Sequence, residues 1–169
     1  MARLFFALRP PEPAAAELAR LAQALSAEVG GKPVPQAKIH MTLAFLGDVD
    51  PLRIEDAQRV AGAVPRRGFR VVLDRLGAFR SARVAWAGCR EAAAELASLQ
   101  RALAGRLRDA GFELEDRAFT PHLTLVRKIA RPVRGKAMAA VEWDAQALLL
   151  MLSEKGTGRY STLASWPLD

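Results

Sequence analysis

Two stretches decide how this sequence is read: His40-Met41-Thr42-Leu43-Ala44-Phe45-Leu46-Gly47 and Pro121-His122-Leu123-Thr124-Leu125-Val126-Arg127. The chain holds two histidines, and each opens the same pattern, His-x-Thr-Leu. Threonine is also scarce, found only at positions 42, 120, 124, 157 and 162. Composition alone would set both histidines in that pattern in about one sequence in 10⁴ to 10⁵. Both copies lie in apolar runs that read as strands, where side chains alternate between faces. The His and Thr of a copy then share one face, and the residue between them and the Leu share the other. The recurrence predicts two related halves, each presenting a polar pair to a shared cleft.

The rest of the chain is read outward from these runs. Residues 3 to 8 are apolar and stop at Pro10-Pro11, which predicts a buried strand. Leu18, Leu21, Leu25 and Val29 then fall on one helical face between Glu12 and Val29, with Gly30-Gly31 as the stop. The first motif is expected to be a strand over residues 39 to 46 ending at Gly47. Asp50-Pro51 caps a second helix carrying Ile54, Ala57, Val60, Ala61 and Val64, which breaks near Pro65. Phe69 to Leu73 and Arg83 to Ala87 read as strands joined through residues 77 to 81. Glu91 to Ala110 is a helix with Leu96, Leu99, Leu103 and Leu107 inward. Strands over Leu123 to Ile129, Gln146 to Leu152 and Arg159 to Leu163 complete the order β-α-β-α-β-β-α-β-β-β. The pattern predicts an α+β fold of sheets with helices on their outer faces.

The 169 residues, 51% hydrophobic and 25% charged, suffice for one domain spanning 1 to 169 with a real core. No apolar stretch is long enough to span a bilayer. Cys89 has no cysteine partner, and residues 1 to 6 contain no long secretory apolar region, so a cytoplasmic protein is expected. A net charge of +7 favours phosphate-bearing partners, although the arginines are scattered and also fit a solvated basic surface.

Imidazole titrates near neutrality, so one histidine can hold a proton while the other lacks one. Displacement at a phosphorus ester needs such a base for the incoming oxygen and an acid for the departing one. A threonine hydroxyl two residues along each strand is placed to donate to the charged phosphate oxygens. The competing reading makes each histidine an ordinary core or surface strand residue. Two histidines without further ligands do not make a zinc site, and no Gly-rich phosphate or dinucleotide loop is present.

The two quoted stretches resemble the paired signatures of the 2H phosphoesterase superfamily, specifically the bacterial and archaeal RNA 2′,3′-cyclic phosphodiesterases, also called 2′-5′ RNA ligases. Arg3 to Leu8, Leu76-Gly77-Ala78-Phe79, Gly111-Phe112-Glu113, Arg117-Ala118-Phe119 and Tyr160 resemble that family in order and spacing. The resemblance implies a bilobal fold of two antiparallel β-sheets with pseudo-twofold symmetry around a central cleft. It implies metal-independent, cofactor-free opening of 2′,3′-cyclic phosphates on RNA ends or small nucleotides to 2′-phosphates. His122 would activate water and His40 would protonate the departing 3′ oxygen, an order that can be reversed, while Thr42 and Thr124 hold phosphate oxygens. Arg127 matches the family's arginine, but strict alternation sets it on the face opposite His122, so a bulge or strand end must redirect it. By the same alternation Phe45 reads as core before base-stacking platform, and Tyr160 binds a base or anchors the last strand. The family often has an aromatic residue beside Val-Pro before its first motif; Lys32-Pro33-Val34-Pro35 departs from that. A 2′-5′ RNA ligase and a non-catalytic RNA-binding module are the alternatives. A monomer without membrane contact is expected.

Overall fold

The first strand is apolar on both faces because both faces are covered. In β1 (Ala2–Leu8), Leu4, Phe6 and Leu8 enter the main core while Phe5 and Ala7 are buried on the opposite side. The structure is a computed structural model that describes every residue except 135 and 136. Helix α1 (Ala14–Val29) follows and stops at Gly30, whose φ of 75° suits glycine and whose N–H donates to the Ser26 carbonyl. Its inward stripe is Leu18, Ala22, Leu25 and Val29, so Leu21 is only partly buried where the periodicity sets it inward. A two-residue strand, β2 (Lys32–Pro33), and a 3₁₀ turn over Gln36–Lys38 lead to β3 (Met41–Val49). β3 runs through Gly47 rather than ending there, since that glycine's φ of 68° is accommodated inside the ladder. Asp50 accepts the Leu52 N–H at 3.0 Å and opens a 3₁₀ turn at Pro51, followed by α2 (Ile54–Ala63).

Strands β4 (Arg70–Phe79) and β5 (Val84–Gly88) pair as a hairpin, with residues 77 to 79 in the ladder rather than the connection. Helix α3 (Ala94–Asp109) buries Leu96, Leu99, Leu103 and Leu107, as its spacing requires. The chain ends through β6 (His122–Arg127), β7 (Ala137–Asp144), β8 (Ala147–Ser153) and β9 (Tyr160–Pro167). β2 and β7 are absent from the expected strand list. The former is two residues long, and the latter begins Ala-Met-Ala-Ala, a run of low β preference.

All pairings are antiparallel, in a four-stranded sheet ordered β3-β1-β8-β9 and a five-stranded sheet ordered β2-β6-β5-β4-β7. This is the α+β, bilobal architecture that the sequence predicts. The helices are exchanged: α1 leaves β1 but packs on β6, β2 and β7, whereas α3 leaves β5 but packs on β3 and α2. One continuous core therefore joins residues of both sheets. No helix among the described residues is long and apolar enough to cross a membrane.

Candidate active site

Each motif contains the same irregularity. In the β1–β3 ladder Ala7 pairs with Thr42 and Phe6 with Ala44, leaving Leu43 as an extra residue. In the β5–β6 ladder Trp86 pairs with Thr124 and Ala85 with Val126, leaving Leu125 extra. Both are β-bulges at the Leu of His-x-Thr-Leu, and each shifts the alternation by one. Leu43 and Ala44 are consequently both buried, as are Leu125 and Val126. The fifth position after each histidine emerges on the face of the threonine, because Phe5 and Ala7 oppose Phe45 and Thr42, and Val84 and Trp86 oppose Arg127 and Thr124.

Arg127 is thus redirected onto the His122 side by a bulge, which the alternation requires if it is to reach substrate. Phe45 is corrected: it is not core but 43% exposed, with the Arg3 guanidinium 5.3 Å from its ring centre. Strict alternation sets it inward, and the extra residue at Leu43 turns it out.

The histidines are anchored alike. His40 Nδ1 lies 2.7 Å from the Lys38 carbonyl oxygen, and His122 Nδ1 lies 2.6 Å from that of Thr120, each two residues upstream. A carbonyl only accepts, so these contacts assign the Nδ1 proton in neutral and charged rings alike. Nε2 is left as the nitrogen that gains and loses a proton. His40 Nε2 is 2.9 Å from Thr42 Oγ1, coupling the threonine hydroxyl to that nitrogen.

Aromatic walls hold both rings. His40 sits 4.9 Å from Phe5 and 5.5 Å from Tyr160 between ring centres, and Lys38 Nζ lies 5.2 Å from the Tyr160 ring. Tyr160 therefore stands at the site and also packs against Phe5 and Met151 on the cleft side of its sheet. His122 meets Phe79 edge-on at 5.0 Å and lies 6.1 Å from Trp86. Trp86 lies over two glycines: a Cβ on Gly77 would run into the indole, and one on Gly88 would come within 2.7 Å of it. Arg75 covers the indole at 5.3 Å. Phe5 is hidden from sequence reading by its apolar run. Trp86 carries a readable signal, a lone large residue in Val-Ala-Trp-Ala-Gly.

Burial lowers the pKa of both histidines, opposed by their carbonyl contacts. The positive charges of Arg127, Arg9 and His122 push His40 further down, and Arg117 does the same to His122. His122 and Arg127 from one motif thus act electrostatically on His40 of the other. Arg9, which donates to the Ala37 carbonyl at 2.7 Å, also borders a hollow of about 340 Å³ with Gln36, Ala37 and Ile39.

Two antiparallel sheets, each presenting an anchored histidine with a threonine beside it, define the class of the 2H phosphoesterases. More narrowly, the chain belongs to the 2′-5′ RNA ligase superfamily, whose family model matches residues 10–156. It is 29% identical to the RNA 2′,3′-cyclic phosphodiesterase of Escherichia coli over 98% of this chain and 96% of that one. It is 36% identical to the enzyme of the same name from Aeropyrum pernix over 65% of each. The crystal structure of E. coli LigT complexed with 3′-AMP superposes with a TM-score of 0.87 at 30% identity, covering 99% of this chain and 98% of that one.

Proposed function

We infer that this protein is an RNA 2′,3′-cyclic phosphodiesterase whose two lobes act as one catalytic unit over residues 1 to 169. The observation that carries the reading is the matched anchoring of the histidines through Nδ1, which makes Nε2 of each the nitrogen that gains and loses a proton. The names of its relatives support the substrate class.

In the proposed reaction His122 Nε2 takes a proton from water as the water oxygen bonds to phosphorus. The bond from phosphorus to the 3′ oxygen breaks, and that oxygen takes the proton from His40 Nε2. The ring is left as a 2′-phosphate with a free 3′-hydroxyl. The cations around His40 make its imidazolium the readier proton donor, which supports this order of roles. Thr42 and Thr124 donate to the non-bridging oxygens, and Arg127 offers a forked pair of N–H groups to the same charge. Phe45, exposed, and Tyr160, half-buried beside His40, supply aromatic surface for a base. No step requires a metal or cofactor.

Purified protein incubated with a nucleoside 2′,3′-cyclic phosphate and EDTA should yield the 2′-phosphate. A 3′-phosphate would reverse the leaving-group assignment, and absence of product would overturn the enzymatic reading in favour of an RNA-binding module.

A further inference from the structure

The short strand β2 bears on the cleft in a way its two residues do not suggest. Its Lys32 is the direct cross-strand partner of Arg127, so both side chains leave the same face of the sheet. The bulge at Leu125 makes that the face of Thr124 and His122. Lys32 and Arg127 are both exposed, and neither has an ion pair or side-chain hydrogen bond to a described residue. Like charges directly opposite on neighbouring strands repel, so this placement disfavours the sheet unless an anion lies between them.

The chain nevertheless holds them together. Gly31 has a φ of 86°, and a Cβ there would collide with the Arg127 carbonyl oxygen, so β2 can lie this close to β6 only with glycine before it. The Val34 N–H donates to the Leu125 carbonyl at 2.7 Å, pinning the other end to the bulged residue itself. The positive charge of Arg127 also acts on His40 of the other motif, so the pair lies within electrostatic range of that histidine.

A nucleoside cyclic phosphate carries one negative charge at the reacting phosphorus, which one of the two cations together with the threonines suffices to meet. Lys32, paired across the strands with Arg127, adds a second positive charge on the same face. We propose that Lys32, with Arg127, forms a second phosphate subsite that holds the phosphate on the 5′ side of the terminal ribose. The subsite rests on the cyclic phosphodiesterase reading and narrows its substrate to ends carrying a second phosphate. That phosphate is either the internucleotide diester of an RNA or a 5′-monoester.

Three substrates test it: a nucleoside 2′,3′-cyclic phosphate, the same compound with a 5′-phosphate, and a dinucleotide ending in the cyclic phosphate. The wild-type protein should show a higher kcat/KM on one or both of the last two. Lys32→Ala should reduce that preference about fivefold, the scale of one exposed charge contact, and Lys32→Arg should restore it. For the preferred substrate the slope of log kcat/KM against log salt should flatten by about 0.7 in Lys32→Ala. Preference for the dinucleotide alone identifies the RNA diester, preference for the 5′-phosphate alone identifies the monoester, and either supports the subsite. Equal effects of Lys32→Ala on all three substrates, or no wild-type preference, would overturn it. Failure of the wild-type protein to turn over any of them would instead overturn the phosphodiesterase reading.

Discussion

At the scale of single residues, what matters is how two imidazoles are held. With Nδ1 committed to a carbonyl, removal of either ring removes a titratable nitrogen, the proton-transfer group of the proposed reaction, without disturbing a ladder. His40→Ala and His122→Ala should each lower kcat by roughly 10²- to 10⁴-fold with the far-ultraviolet circular dichroism unchanged. Burial holds the pKa of both histidines below the ordinary 6.5, so the proton that the proposed role requires of His40 is lost early. The kcat/KM profile should therefore decline as pH rises above about 6.5; a profile rising through pH 8 would contradict the assignment. The same shifts act on stability with a fixed sign. A lowered folded pKa means the unfolded chain binds protons more readily, so the contribution is present above 6.5 and is lost as pH falls through the folded values. Thermal melts should weaken between pH 7 and pH 5, and His40→Ala should weaken less. The histidines and threonines were legible because alternation holds over the two residues that separate them. Phe45 and Arg127 were not, since their direction depends on one extra residue between the strands, and nothing in Leu-Ala-Phe or Leu-Val-Arg announces it.

Elements set the surroundings of these rings. Trp86 lies on the sheet because Gly77 and Gly88 leave it room, and from there it walls His122. Gly88→Ala should displace the indole that walls His122, lowering kcat at least tenfold at a stability loss of about 1–3 kcal/mol, readable by denaturant titration beside steady-state kinetics. A stability loss with kcat intact would mean that the indole serves packing alone. The long amphipathic helices and the buried β1 and β5 were readable from periodicity, because burial on one stripe or on both faces dictates composition. β2 and β7 escaped because their pairing comes from neighbours: Gly31 and the Leu125 carbonyl fix the one, and β4 fixes the other through Val141 and Trp143.

For the molecule as a whole, the exchanged helices mean that neither sheet keeps its cover if the other is lost. Denaturant unfolding followed by tryptophan fluorescence and by circular dichroism should give coincident single transitions; two separated transitions would show lobes that stand alone. Helix exchange is invisible to sequence reading, since a helix pattern reveals its apolar stripe and not the sheet that receives it. The strand orders carry one more consequence. The five-stranded sheet is complete once residue 144 is present, whereas the sheet of His40 joins β1 and β3 to β8 and β9, drawn from opposite ends of the chain. On a translating ribosome the first histidine thus emerges early but waits for β9 before Tyr160 reaches it. The sheet that receives the earliest strand is thus finished after its partner sheet.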